Sequence, residues 1–243
     1  MLCALCLKEK PLCNSHIIPE FLYKRLYDEK QKMWKLSTVE SERTTRVPKG
    51  VYEKLLCEAC DHRIGEWEGY ASRVIYGGVE LTQSDSPFGW LVSGIEYASF
   101  KLFQLSLLWR AAVSKRPEFE KVCLERKHKG QLRRMLLNED PGDPLDYACL
   151  LFVSRKHLNI TTNLVHMPLF CSHKGTADCL FIMGGLFWMF LIPRADPVLE
   201  DDGFILTRNG ETTIVLNEEY TLRFLVDFAI DLKRSGKLPP IED

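Results

Sequence analysis

Apolar residues are distributed along this chain in two ways, and the change falls near residue 84. Before it, hydrophobic positions come in short groups separated by polar stretches. The run 21–27 after Pro19 reads as a short helix. The Ser-, Thr-, Glu- and Arg-rich stretch 37–46 reads as a flexible loop, and a helix is expected to run on from Asp61. Gly77-Gly78 and the cluster Ser84-Asp-Ser-Pro87 mark the end of this unit. They give a first domain over 1–84 and a second over 85–243.

The second unit is denser. Ile95, Phe100, Leu102, Phe103, Leu105, Leu107, Leu108 and Trp109 crowd the stretch 89–113, which predicts a helix buried on most of its faces. A second helix is expected over 129–137. After Pro141-Gly-Asp-Pro144 the pattern becomes strand-like over 147–153, 160–166, 178–192, 204–208 and 212–216. Gly184-Gly185 sits between two apolar runs, as a two-residue hairpin turn requires. A final amphipathic helix covers 218–233, with Leu222, Leu225, Val226, Ala229 and Leu232 at helical spacing. The fold class is therefore α+β, a small N-terminal module followed by a larger mixed helical and antiparallel-sheet domain.

Composition adds little until it is resolved along the chain. Hydrophobic residues make up 46% and charged residues 27%, ordinary values for a soluble globular protein. No apolar stretch reaches the ~18 residues a membrane span needs, and no apolar h-region follows Lys8 and Lys10, so the protein is read as cytoplasmic with no membrane partner. The net charge of −1 hides an asymmetry. Residues 110–134 hold nine Lys/Arg against three Glu, whereas 196–243 hold eleven Asp/Glu against five Lys/Arg. The basic segment offers Arg110, Arg126, Lys127, Arg133 and Arg134 as contacts for a phosphate backbone, or else forms an ordinary solvated face.

Nine cysteines need a reason. An odd count, no signal peptide and two C-x-x-C pairs argue against a disulfide framework. Cys3-Ala-Leu-Cys6 and Cys57-Glu-Ala-Cys60 match a structural zinc site, in which each tight turn supplies two thiolates. Such a clamp suits a unit of this size with a long polar loop and little core. Cys13-Asn-Ser-His16 is a nearby C-x-x-H pair, so Cys13 or His16 could replace one thiolate. Most of the other five, Cys13, Cys123, Cys149, Cys171 and Cys179, read as small buried apolar residues. Cys171-Ser-His173 lacks a second cysteine pair and carries no site reading.

Between the two cysteine pairs lies His16-Ile17-Ile18-Pro19, and Leu56 precedes the second pair. The order C-x-x-C, H-I-I-P, L-C-x-x-C over the first 70 or so residues resembles the HNH-type (ββα-metal) endonucleases. The resemblance implies a small zinc-stabilised ββα-metal, treble-clef-like domain that hydrolyses phosphodiester bonds. His16 would be the general base, and a catalytic Mg²⁺ or Mn²⁺ would bind near it. Asp61 stands where the family often places a metal-binding His or Asn, and His62, Glu66 and Glu68 follow within two helical turns. Asp61 and Glu66 are accordingly counted with His16 as catalytic candidates. Two positions depart from the pattern. Ser15 stands where the family usually has a metal-binding acid or His, and Tyr52, beside Glu53, stands where it has an orienting Asn. DNA is the expected substrate, and defence against phage or service to a mobile element the family-level association. The second domain is a candidate surface for a homodimer or a regulatory partner. The other reading is a non-catalytic zinc-finger module binding nucleic acid or protein. The strand-rich half shows no phosphate loop, G-x-S-x-G or H-E-x-x-H motif.

Overall fold

A computed structural model of the chain describes residues 1–36, 43–173, 176–193 and 203–236. Most of the expected loop 37–46 and parts of the acidic C-terminal region therefore lie outside the described residues.

The N-terminal unit is built around a short antiparallel pair. β1 (Asn14–His16) aligns with β4 (Tyr52–Lys54) so that Ser15 faces Glu53 and His16 faces Tyr52. Between them run α1 (Glu20–Tyr23), extended by a 3₁₀ turn over Lys24–Leu26, and the hairpin of β2 (Met33–Lys35) with β3 (Thr45–Val47). Pro19 starts α1 because its fixed φ suits a helix entry. α2 (Glu58–Tyr76) follows four residues after β4, opens on Glu58 and Asp61 in its first turn, and ends at Gly77 with φ 91°.

The larger part is a seven-stranded sheet with helices on both faces. β5 (Thr82–Ser86) and β6 (Gly89–Ser93) form a hairpin, followed by α3 (Tyr97–Val113) and α4 (Arg126–Asn138). Then come β7 (Cys149–Val153), α5 (Leu158–Thr162), β8 (His166–His173), β9 (Thr176–Met183), β10 (Leu186–Leu191), β11 (Thr212–Leu216) and α6 (Glu218–Arg234). The sheet order is β5-β6-β11-β7-β10-β9-β8, and only β11 with β7 is parallel. Gly184 and Gly185 turn β9 into β10 with φ of 62° and 84°, the paired positive values of a type I′ turn.

The alternation along β9 and β10 sorts side chains between two layers. Phe181, Trp188 and Phe190 face the α3 side, where Phe100 and Phe103 pack on Trp188. Leu180, Ile182 and Phe187 face the other side and are covered by Phe224 of α6. The α3-side core is continuous from Cys3 through α2 and α3 to Phe190.

Three expectations are corrected. The stretch 89–93 is strand, not helix. Gly89 comes so close to β11 that an added Cβ would lie 2.1 Å from the Ile214 carbonyl oxygen, and the helix begins only where Glu96 caps the amides of Ala98 and Ser99. The stretch 158–162 is helical. Thr161 and Thr162 donate their hydroxyls back to the His157 and Leu158 carbonyls, a local satisfaction that wins over β propensity. The stretch 204–208 is an irregular segment whose Thr207 and Gly210 close a turn into β11, with Ile205 and Leu206 buried.

Candidate functional site

The Sγ atoms of Cys3, Cys6, Cys57 and Cys60 all lie within 4.8 Å of one another, and those of Cys6 and Cys57 are 3.9 Å apart. Four thiolates about 2.3 Å from a tetrahedral zinc would be spaced by roughly 3.8 Å, so the group could hold a metal such as zinc. Cys13 and His16 do not belong to it. The backbone explains the convergence. Leu7 takes a left-handed φ of 56° and donates to the Cys3 carbonyl, which closes the first turn. That turn is laced to the segment before α2 by Ala4 N–H to Leu55 O at 3.0 Å and Cys13 N–H to Leu56 O at 2.7 Å. Burial pushes the Cys3 thiol up, but amide donors, foremost Cys57 N–H at 3.3 Å, bring it down to about 7. Burial and the neighbouring thiols push Cys60 the other way, upward, so the sulfurs of the cluster share their protons.

A second cluster lies one strand away and draws on four elements. His16 of β1 points its Nε2 at Glu20 of α1, 2.7 Å from Oε2. The other oxygen of Glu20 accepts from the Tyr27 hydroxyl at 2.6 Å. Arg110 of α3 places Nη1 2.6 Å from Glu68 of α2 and donates it to the His16 carbonyl at 2.6 Å. Burial lowers the His16 pKa below its ordinary value. Glu20 and Glu68 pull it up, Arg110 and Lys49 push it down, and the net direction is downward. The imidazole is thus neutral at pH 7. The 2.7 Å approach of Nε2 to Glu20 is a close charge contact without hydrogen-bond geometry, and both atoms are buried.

The sequence candidates divide. Asp61 is half-buried and shares the i, i+7 face of α2 with Glu68; between them Gly65 leaves open space, since an added Cβ would meet nothing within 4 Å. Glu66 lies on another face, exposed and 3.9 Å from the exposed His62. Glu53, beside the departing Tyr52, is occupied elsewhere. Its carboxylate accepts from Ser114 Oγ at 2.7 Å and Lys115 N–H at 3.0 Å at the end of α3. Trp67 is core.

The basic candidates scatter as well. Arg110 is buried in the cluster just described. Arg133 donates to the Leu5 carbonyl at 2.9 Å and so braces the first cysteine turn. Arg126 and Arg134 are exposed, and Lys127 pairs with Glu125 at 3.0 Å in solvent.

Glu20 is the residue that sequence reasoning passed over. Its one signal is position, four residues after His16 at the head of a helix, and an acid there is usual for dipole reasons alone. No family model matches the chain, and no curated protein or solved structure matches it either. Its function has to be read from the chemistry of these side chains.

Proposed function

We propose that the N-terminal unit is a divergent HNH-type site: β1 and β4 serve as the two strands and α2 as the helix of a ββα-metal module, which hydrolyses DNA phosphodiester bonds in the cytoplasm. Zinc on Cys3, Cys6, Cys57 and Cys60 is the structural ion. The observation that carries the reading is His16, whose Nε2 lies 2.7 Å from the Glu20 carboxylate and whose backbone carbonyl is held by the arginine that pairs with Glu68. The His16 imidazole takes the proton from the attacking water. Glu20, in close contact with the ring, takes the orienting role that an Asn at position 52 would otherwise fill. Arg110 holds the His16 backbone and Glu68 in register.

Among the described residues the carboxylates near His16 do not gather into a ready ligand set; a Mg²⁺ or Mn²⁺ there would rest on a single α2 carboxylate, Asp61 or Glu68, with water and phosphate oxygens completing its shell. Such an ion, when bound, would supply charge stabilisation to the scissile phosphate and leaving oxygen. Exposed Arg126 and Arg134, with Lys127 beside Glu125, offer cations to the phosphate backbone.

The test is nicking of supercoiled plasmid by wild type and His16→Ala with Mg²⁺ or Mn²⁺. Wild-type nicking that falls by about 10²–10⁴-fold in the mutant supports the reading. Equal cleavage by both removes His16 as the base.

One observation favours a second reading, a zinc-held binding module. Glu68 already has its counter-charge in Arg110, and Ser15 offers no charge to a cation. That module would bind one tight zinc per chain and no second divalent ion, and would not cut while folded and zinc-loaded.

A further inference from the structure

α6 has two apolar faces, and the sheet uses only one. Phe224, Phe228 and Leu232 turn inward, Phe224 against Phe187 and both phenylalanines against His166. Nearly opposite them on the helix, Leu222, Val226 and Ile230 are 49%, 46% and 40% exposed, with Ala229 exposed beside them. A contiguous apolar stripe on a solvent-facing helix marks an interaction surface. The spacing 222, 226, 229 follows the alternating four-three step of a helix-pairing seam.

The charges at the ends of this stripe identify the partner. Glu219 lies at one end and Lys233 at the other, both exposed and on the same face as the apolar residues. The arrangement is palindromic about Val226, because Glu219 and Lys233 are each seven residues away and Leu222 and Ile230 each four. An antiparallel copy of the same helix presents the matching order, with Ala229 set against the stem of Arg223. Turned about a two-fold axis through Val226, it sets Leu222 against Ile230 and Glu219 against Lys233, each contact occurring twice. Antiparallel pairing also opposes the two helix dipoles.

We infer that this face of α6 pairs with the α6 of a second copy of the chain, forming an isologous dimer with Val226 on the axis. The inference is independent of the nuclease reading. A single pair of 17-residue helices, each about 25 Å long, is a small interface, so the dimer is expected to dissociate in the micromolar range.

The experiment is sedimentation equilibrium of the full zinc-loaded chain from about 1 to about 100 µM. Wild type should move from its 28.1 kDa mass toward twice that value as concentration rises. Val226→Glu places two carboxylates together on the axis and should leave a monomer with an unchanged circular dichroism spectrum, since the residue is exposed. Lys233→Glu alone should weaken the dimer about fivefold, because each exposed pair is lost twice. The reversal Glu219→Lys with Lys233→Glu should restore wild-type affinity, a recovery that nonspecific hydrophobic association would not show. A wild type that stays monomeric at about 100 µM, a dimer indifferent to Val226→Glu, or a double reversal no tighter than the single change would each overturn the inference.

Discussion

Replacing Arg110 by Met tests the cluster around His16. The arginine is almost wholly enclosed, its side chain 3% exposed, and the Met keeps most of its apolar stem. The change removes Nη1 from Glu68 and from the His16 carbonyl, both at 2.6 Å, and Nε from the Ser106 carbonyl at 3.2 Å. Deleting one partner of a buried ion pair costs about 3–5 kcal/mol. Glu68 is 20% exposed, so water can reach the stranded carboxylate, and the expected loss sits at the lower end, about 3 kcal/mol. Adding Glu68→Gln removes that charge and should return about 1–2 kcal/mol, a coupling that a double-mutant cycle in urea would measure. The His16 pKa, followed by NMR, should rise in Arg110→Met, because the guanidinium is one of the charges holding it down. A loss under about 1 kcal/mol, or strictly additive mutants, would refute the buried pairing. Unchanged stability with weaker DNA binding and a salt slope reduced by about one would make Arg110 a phosphate ligand instead.

Cys57→Ser should release the metal and unfold the segment joining β4 to α2, since the Cys57 sulfur and amide both meet the first cysteine turn; metal analysis and proteolysis of the N-terminal unit would check it. Gly50→Ala should cost about 1–3 kcal/mol, because its Cβ would lie 2.2 Å from the ring of Tyr23, itself 1% exposed; thermal melts would show it. His16, His128 and His166 all have pKa values lowered below the usual 6.5, with burial the leading cause in each. A base with a depressed folded pKa binds fewer protons folded than unfolded. Their shared contribution to stability is therefore fully present above pH about 6.5 and lost as pH falls toward the folded pKa values. Urea titrations between pH 7 and 5, without added divalent ions, should show this slope, and His16→Gln should make it shallower without abolishing it.

The four clustered cysteines were legible in the sequence because C-x-x-C spelling is a local constraint: one turn must aim two thiolates at one point. The Gly184-Gly185 hairpin, α2, α4 and α6 were legible for the same reason, since glycine at positive φ and apolar periodicity are properties of neighbouring residues. His16 was marked by its short motif.

What surrounds His16 was decided by packing. Glu20, Glu68 and Arg110 lie 4, 52 and 94 positions away in the chain, and their meeting depends on how α1, α2 and α3 stack behind β1. The basic run from Arg110 to Arg134 read as one surface, yet Arg110 is enclosed and Arg133 braces a backbone carbonyl, because side-chain direction follows each helix's orientation to the core. The strand at 89–93 needed β5 and β11 on either side to satisfy its backbone, and no local pattern could supply those partners. Local chemistry was written in the sequence, whereas the company each reactive group keeps came from the tertiary structure, where contacts distant in sequence are made.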